Sequence, residues 1–336
     1  MAETKAEQLH RDSIVIDAVC PLLRDRKHLD WYAEGGCTAV GPTLASRNSA
    51  AEAFRTIGDW QKFLRMRTDL KHIRAAADVE AAKREGKLGI IFHFQGTDPI
   101  EDHLDLVWTY KSLGVGIMQL CYNVRNRVGD GAEERCDAGL SNFGVEMVRE
   151  LNAAQVIVDC SHTGVRTSLD AVEASSAPVV VSHGNPRAVR PSQRNLPDEL
   201  IKAVAQSGGL IGAVGFPAFV ADSPRPTLDQ FIDSIAYMVD LVGADHVALG
   251  IDYYYAQWPV VSDEDAMKFY KSALAARSWR PDTYPPPPHY YPAGIETPRT
   301  LHNLTARMLE RGFGADAVRK ILGLNWVRVY RTVWGE

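Results

Sequence analysis

Residues 155–183 read QVIVDCSHTGVRTSLDAVEASSAPVVVSH and contain the pattern that decides the fold. Two continuous apolar runs, at 155–160 and 178–182, flank an amphipathic stretch. Short apolar runs separated by helical sequence are typical of parallel strands that helices cover on both faces. His183 follows the second run directly, and His162 follows the first after one serine. The stretch therefore predicts a β-α-β unit with two imidazoles at the carboxyl ends of its strands, where parallel barrels carry their active sites.

The same alternation recurs along the chain. The predicted strands lie at 13–19, 37–41, 88–94, 115–121, 155–160, 178–182, 209–215 and 246–251. Predicted helices lie at 50–70, 101–112, 140–153, 165–174, 198–206 and 227–242, with three more at 262–273, 296–311 and 315–332. Eight such units close most naturally into a (β/α)8 barrel of the TIM type, here with extra helices at its carboxyl-terminal end.

The chain is predicted to form one domain over residues 1–336. Its 336 residues are 46% apolar, which is enough for one large core, and no linker divides them. Residues 281–292 (PDTYPPPPHYYP) contain four consecutive prolines and are expected to form an extended arm. A surface loop, a lid over the barrel mouth and a dimer clasp are all open interpretations of this arm.

Composition excludes several classes of partner. The net charge is −5, and the 37 basic and 42 acidic residues are interspersed, so the basic stripe that nucleic acid requires is absent. The chain starts without an apolar signal region and contains no stretch of eighteen apolar residues, so we expect a soluble, cytoplasmic protein without membrane contact. Five cysteines without CxxC spacing argue against a disulfide framework and against a structural zinc knuckle.

Several chemically active side chains follow the predicted strands. His162 and His183 end neighbouring strands, whose spacing of about 4.8 Å lets two imidazoles reach one metal ion. Asp252 follows the eighth strand. Three roles are open for it: a metal ligand, the proton acceptor in a hydrolysis, or the cap of the following loop. Arg194, in the loop after the sixth strand, is suited to a substrate carboxylate or to a salt bridge within the loop.

Other catalytic signatures are missing from the sequence. There is no GxSxG elbow, no Walker lysine loop, no GxGxxG after a strand and no HExxH helix. Serine hydrolases, P-loop nucleotidases, Rossmann dehydrogenases and zincins are therefore not leading interpretations.

Motifs along residues 13–332 resemble the renal or membrane dipeptidase family of zinc peptidases. They are Ile16-Asp17, Phe94-Gln95-Gly96, Asp159-Cys-Ser-His162, Ser182-His183, Arg194-Asn195-Leu-Pro-Asp198, Gly250-Ile-Asp252 and Gly323-Leu-Asn325-Trp-Val-Arg328-Val329. The resemblance implies a (β/α)8 barrel that hydrolyses dipeptides at a two-zinc centre, often as a homodimer. Four of the family's functional residues match this chain position by position, namely His162, His183, Arg194 and Asp252.

The family's metal centre is not intact in this sequence. The family's His-x-Asp pair after the first strand reads Val19 and Pro21 here, and its bridging glutamate is Gln95. The family's histidine after the fourth strand is Tyr122. A neutral amide is a poor ligand for two dications, so we expect at most one zinc ion.

The leading hypothesis is a dipeptidase-like hydrolase acting on a dipeptide or a similar small amide with a free carboxylate. Its expected zinc ligands are His162, His183 and Gln95, its catalytic residues Asp252 and Tyr122, and its substrate-binding residues Arg194, Asn123 and Tyr253. One alternative is a metal-free lyase or isomerase that uses His162, His183, Asp252 and Tyr122 as acids and bases. A non-catalytic binder of small amino-acid-like ligands is the other.

Overall fold

The structure is a computed structural model that describes residues 4–336, so residues 1–3 of the predicted domain lie outside it. Its short strands are buried. They are β1 (Ile16–Asp17), β2 (Ala39–Val40), β3 (Thr43–Ala45), β4 (Leu70–His72), β5 (Leu88–Ile90), β6 (Phe92–Phe94), β7 (Val115–Gln119), β8 (Ile157–Asp159), β9 (Val179–Val180), β10 (Ile211–Ala213) and β11 (Val247–Leu249).

The strands pair in parallel, and all except β4, which pairs with β5 at a sheet edge, follow the order of the chain around a barrel. β1 pairs with β2, β2 with β5, β3 with β6, and β6 through β9 pair in sequence. A parallel bridge between Val181 and Ile211 continues this series to β10, which pairs with β11. β2 and β3 together form the second strand of the barrel, and β5 and β6 together form the third. With β1 and β7 to β11, the barrel therefore has eight strands.

The last strand meets the first through hydrogen bonds beyond the ladders. The Ile251 N–H donates to the Asp17 carboxylate at 2.8 Å, and the Leu22 N–H donates to the Tyr253 carbonyl at 2.8 Å. The architecture is the TIM-type (β/α)8 barrel that the sequence predicts.

Helices surround the strands and extend beyond the last of them. They are α1 (Lys5–Asp12), α2 (Leu29–Glu34), α3 (Ala50–Met66), α4 (Ala76–Glu85), α5 (Leu106–Ser112), α6 (Asn142–Ala153), α7 (Val165–Ala174), α8 (Asp198–Gln206), α9 (Pro217–Val220), α10 (Leu228–Val242), α11 (Asp263–Ala275), α12 (His302–Glu310), α13 (Ala315–Arg319) and α14 (Asn325–Trp334). Within residues 4–336, every helix is too short or too polar to cross a lipid bilayer.

Helix α14 lies against the amino-terminal ends of the strands. The Trp326 indole N–H donates to the Leu249 carbonyl at 2.9 Å, and the Trp334 indole N–H donates to the Gly116 carbonyl at 3.1 Å. The Asn325 amide donates to the Val247 carbonyl at 2.8 Å. The GLNWVRV motif therefore packs against the barrel at the end opposite to His162 and His183, and its role there is structural.

Every predicted strand contains an observed one, and the helix predicted at 198–206 has the same bounds in the structure. The helices predicted at 50–70 and 101–112 are too long: the first ends at Met66, before β4, and the second begins at Leu106. The helix predicted at 315–332 is interrupted by a π-helical turn at Lys320–Leu324, where Gly323 packs against the Ile14 carbonyl so closely that a Cβ atom would lie 2.5 Å from that oxygen. The sequence analysis does not predict helix α4, because the alanine-rich stretch AADVEAAKRE has little amphipathic pattern. It does not predict the short elements α1, α2, β3 and β4 either.

Candidate active site

His162 and His183 lie together at the carboxyl end of the barrel, as the sequence predicts. Their ring centroids are 4.7 Å apart with an interplanar angle of 62°. Both side chains are buried, and both Nε2 atoms lack a hydrogen-bond partner among the described residues. Buried nitrogens without partners are uncommon in folded proteins, so this pair requires an explanation.

A hydrogen-bond relay fixes the orientation of His183. The Asp159 carboxylate accepts a hydrogen bond from the Ser182 hydroxyl at 2.5 Å, and the Ser182 Oγ lies 2.9 Å from His183 Nδ1. Burial by itself raises the pKa of Asp159, but its hydrogen bond and charge interaction with His93 hold that pKa below the usual value. An ionised carboxylate only accepts, so Ser182 donates to Asp159 and accepts from His183 Nδ1–H. The lone pair of His183 is therefore on Nε2.

Asn123 fixes His162 in the same way. Its amide nitrogen donates to the Ser278 carbonyl at 2.8 Å and to the Tyr284 hydroxyl at 3.0 Å, so its Oδ1, 2.7 Å from His162 Nδ1, accepts from the ring. The lone pair of His162 is again on Nε2. His162 and Asn123 have φ values of 58° and 60° in the left-handed region, where non-glycine residues are uncommon and often functional.

Both imidazoles are neutral at neutral pH. Burial lowers the pKa of His162 and of His183 well below the usual value, and the nearby Arg194 guanidinium lowers each further. Neutral imidazole with a free Nε2 lone pair is the form that binds a metal ion.

Asp252 and Gln95 carry two more polar atoms without partners in the same region. The Asp252 Oδ1 and the Gln95 Nε2 are buried, and neither has a hydrogen-bond partner among residues 4–336. Burial raises the pKa of Asp252 well above its usual value; Arg194 and Gln95 oppose this rise, and Asp17 adds to it. Asp252 also has a left-handed backbone, with φ of 62°.

Arg194 is a buried cation whose charge lowers the pKa of Asp252 and of Glu133, although it forms no direct ion pair with either. Only 2% of the residue is exposed, and none of the ion pairs within residues 4–336 includes it. Its Nη2 lies 3.5 Å from the His183 carbonyl, its Nε has no partner, and its Cζ lies 5.3 Å from the centre of the Phe219 ring. A buried guanidinium of this kind is prepared for an anionic group of a ligand.

A cavity of about 230 Å³ opens next to this site, although neither His183 nor Arg194 belongs to its lining. Gln95, His162 and Asp252 contribute polar groups to its lining, and Pro21 and Arg24 also line it. Its aromatic lining residues are Tyr122, Phe216, Tyr254, Tyr255, Trp279 and Tyr284. Tyr284 belongs to the proline-rich arm, so part of that arm packs over the barrel mouth.

Two predicted site residues, Tyr122 and Asn123, both contact His162 but in different ways. Tyr122 stacks on His162, with ring centroids 4.1 Å apart, and its hydroxyl accepts a hydrogen bond from the Trp279 indole at 3.3 Å. Asn123 is fully buried behind His162, and its amide is used by protein partners, so its position suits holding the imidazole better than touching a substrate.

Tyr253, predicted to bind substrate, is instead a core residue. Its hydroxyl donates to the Ile295 carbonyl at 2.8 Å, and its ring stacks on Tyr291 at 5.0 Å. The cavity is lined by the next two tyrosines, Tyr254 and Tyr255. Three consecutive tyrosines gave no basis for choosing among them, because the left-handed residue Asp252 sets the direction in which the chain leaves the strand.

Sequence reasoning missed the roles of Asp159, Ser182, Arg24, Trp279 and Tyr284. Asp159 and Ser182 gave a usable signal, since each is polar and directly ends an apolar run. Trp279 and Tyr284 gave none, because they reach the site from a loop more than one hundred residues from His162 in sequence.

Comparison with known proteins assigns this barrel to a family. The sequence profile described as membrane dipeptidase (peptidase family M19) matches residues 37–280. That match covers well over half of the chain. The chain belongs to the membrane dipeptidase family, peptidase family M19. The M19 family is a family of metallopeptidases, and its members are hydrolases that act on small molecules.

Individual relatives agree with this assignment. Dipeptidase tcpJ of Claviceps purpurea is 28% identical over 289 residues; the alignment covers 85% of this chain but 60% of the fungal protein, so the chain spans about three fifths of that relative. An amidohydrolase from Pseudomonas aeruginosa is 34% identical, with a TM-score of 0.90 over 99% of this chain and all of that one. A metallopeptidase from Rhodobacter sphaeroides, solved with a phosphinate mimic of L-Ala-D-Ala, shares the fold at 22% identity, with a TM-score of 0.79 over 96% of this chain and all of that one.

The residues of this M19 member do not fit a two-metal centre. Within the described part of the chain, no three His, Cys, Asp or Glu side chains come together as metal ligands. Val19 is fully buried in the core, and Pro21 lines the cavity without a donor atom. The orphaned Nε2 atoms of His162 and His183 do fit one ion, for which an amide or water would have to complete the shell.

Proposed function

We propose that this protein is a metal-dependent hydrolase of dipeptides or similar small amides that carry a free carboxylate, working with one zinc ion. The observation that carries the proposal is the pair of buried Nε2 lone pairs of His162 and His183, each oriented by a hydrogen bond at Nδ1. Metal-ligating histidines are held by such contacts at the other ring nitrogen, most often to a carboxylate or carbonyl. The Gln95 carboxamide supplies a third, weaker ligand.

The bound zinc would polarise the amide carbonyl and lower the pKa of a coordinated water toward about 7. Asp252 accepts the proton of the attacking water and returns it to the departing amide nitrogen. Burial raises the pKa of Asp252 and so makes its carboxylate a stronger base, while the nearby Arg194 guanidinium favours the ionised form that can accept the proton. The Tyr122 hydroxyl, beside His162, donates a hydrogen bond to the developing oxyanion.

Arg194 binds the substrate carboxylate in this proposal. Within residues 4–336, the buried guanidinium forms no ion pair, and its Nε has no hydrogen-bond partner. A carboxylate bound by the guanidinium fork would satisfy both the charge and the donors. Lysine at this position would lack the paired donors, so we expect Arg194→Lys to raise KM for carboxylated amides more than it lowers kcat.

Zinc binding tests the proposal directly. Titration calorimetry and elemental analysis should give one zinc per chain in the wild type and none in His162→Ala or His183→Ala. His103→Ala removes an exposed imidazole on the surface and should bind zinc like the wild type. Amide hydrolysis should fall with zinc binding in the two site variants. Full hydrolysis by metal-free protein would instead support acid–base chemistry by the same side chains and would refute the zinc-dependent mechanism.

The homodimer and the single-domain organisation remain predictions. Family resemblance supports the first, and the continuity of the barrel supports the second. Light scattering after gel filtration should give twice the chain mass, and thermal unfolding should be a single transition.

A further inference from the structure

The cavity walls form one connected cluster of aromatic rings. Trp279 and Tyr284 stack with centroids 4.3 Å apart and planes 6° apart. Phe216 meets Trp279 and Tyr284 edge to face, at 6.0 Å and 5.6 Å. Tyr254 lies 5.2 Å from Trp279. The edge-to-face and tilted pairs have the separations that aromatic pairs prefer, and Trp279 and Tyr284 stack in closer contact, so the rings hold one another in place before a ligand arrives.

The charges of the lining favour an anion over a cation. Arg24 is exposed at the cavity, its Cζ lies 4.9 Å from the centre of the Tyr255 ring, and it belongs to none of the ion pairs within residues 4–336. Among the described lining residues the single acidic side chain is Asp252, which the proposed mechanism uses as the proton acceptor. A substrate ammonium group would therefore find no second carboxylate in the lining of this cavity. Glu133, another buried acidic side chain near the mouth, lies outside that lining, and burial raises its pKa to about 7.

We propose that the preferred substrate is an N-acyl derivative of an aromatic amino acid rather than a free dipeptide. This inference rests on the proposed function and names its substrate class. The aromatic side chain packs against Trp279 and Tyr254, and the acyl group leaves no ammonium in the cavity. Water adds to the acyl carbon and the C–N bond breaks, giving a carboxylate and the free aromatic amino acid without any redox step.

The substrate preference predicts a clear order of rates. The kcat/KM for N-acetyl-L-phenylalanine should exceed that for N-acetyl-L-alanine and that for L-alanyl-L-phenylalanine by at least tenfold. Equal or reversed rates would overturn the proposal while leaving the hydrolase itself intact.

Binding without turnover separates this inference from the proposed function. Titration calorimetry with 3-phenylpropanoate, butanoate and 2-phenylethylammonium uses ligands that have no amide to cleave. The aromatic anion should bind at least tenfold more tightly than butanoate, and the aromatic cation should not bind measurably. Selective binding without zinc uptake or hydrolysis would refute the proposed function and leave the cavity's preference standing.

Matched variants locate the preference. Trp279→Ala should weaken 3-phenylpropanoate binding at least tenfold, whereas Trp108→Ala, which removes a half-exposed indole from α5, should leave it unchanged. Tyr255→Ala, at the half-buried rim, should weaken it several-fold and serves if Trp279→Ala does not fold. Unchanged affinity in a folded Trp279 or Tyr255 variant would contradict the proposal.

Discussion

The two ends of this barrel treat their polar side chains in opposite ways. At the amino end, the donors of Asn325, Trp326 and Trp334 all reach carbonyl oxygens of the strands. At the carboxyl end, polar atoms of His162 and His183 are equally buried but have no partner in the described residues. Polar atoms with hydrogen-bond partners stabilise a fold. Buried polar atoms without partners lower its stability, and a protein retains a cluster of them where a ligand supplies the missing partners.

The largest expected effect comes from Asp252 at the carboxyl end. Asp252→Asn removes the proton acceptor and should lower kcat/KM by about 10³-fold, within the usual range for a general base. The folded protein should lose no thermal stability, because a neutral amide replaces a buried carboxyl whose pKa burial raises. Steady-state kinetics measures the change in kcat/KM, and thermal melting measures the change in stability. Wild-type activity in Asp252→Asn would exclude the mechanism.

Trp326 at the amino end should show the reverse behaviour. Trp326→Ala removes a fully buried indole and its hydrogen bond to β11, which should cost about 3–5 kcal/mol of unfolding free energy. At temperatures where the variant stays folded, its kcat/KM should match the wild type. Loss of activity in fully folded Trp326→Ala would show that the two ends are coupled.

Ser182→Ala tests the relay behind His183. The change leaves the imidazole in place but removes the oxygen that fixes its tautomer, so zinc affinity should fall about 10–100-fold. Calorimetry measures the loss. Ser168→Ala, which removes an equally buried hydroxyl in α7 that donates to the Gly164 carbonyl, is the control and should change zinc affinity much less.

Glu133 should make stability depend on pH in a definite direction. It is buried near the mouth, neither carboxylate oxygen has a partner within residues 4–336, and burial raises its pKa from 4.5 to about 7. The folded state therefore binds more protons than the unfolded chain between these values, and stability should fall by about 2 kcal/mol as pH rises from 4.5 to 7.

Glu133→Gln removes this titration. Urea unfolding at pH 5 and pH 8 should show a smaller difference for the variant than for the wild type. An equal difference in both proteins would assign the pH dependence to other groups.

The fold was more predictable than the site because it depends on many redundant signals. Eight apolar runs each pointed to a strand, and one misjudged boundary left the barrel unchanged. The meeting of His162 and His183 was predictable because the ends of adjacent parallel strands share one edge. The contribution of Trp279 was not predictable, because its position depends on the path of a long loop. The prediction that Tyr253 binds substrate was wrong because the left-handed backbone of Asp252 changes the direction of the chain just before it.

That left-handed backbone restricts how the site could be redesigned. Positions 123, 162 and 252 all have φ near 60°, where β-branched side chains are strained. If these three positions are randomised and the variants are selected for folding alone, the folded variants should contain asparagine, aspartate, histidine or glycine there and almost no valine or isoleucine. Efforts to restore lost metal ligands would do better at Gln95 or Pro21, whose φ angles are not of this kind.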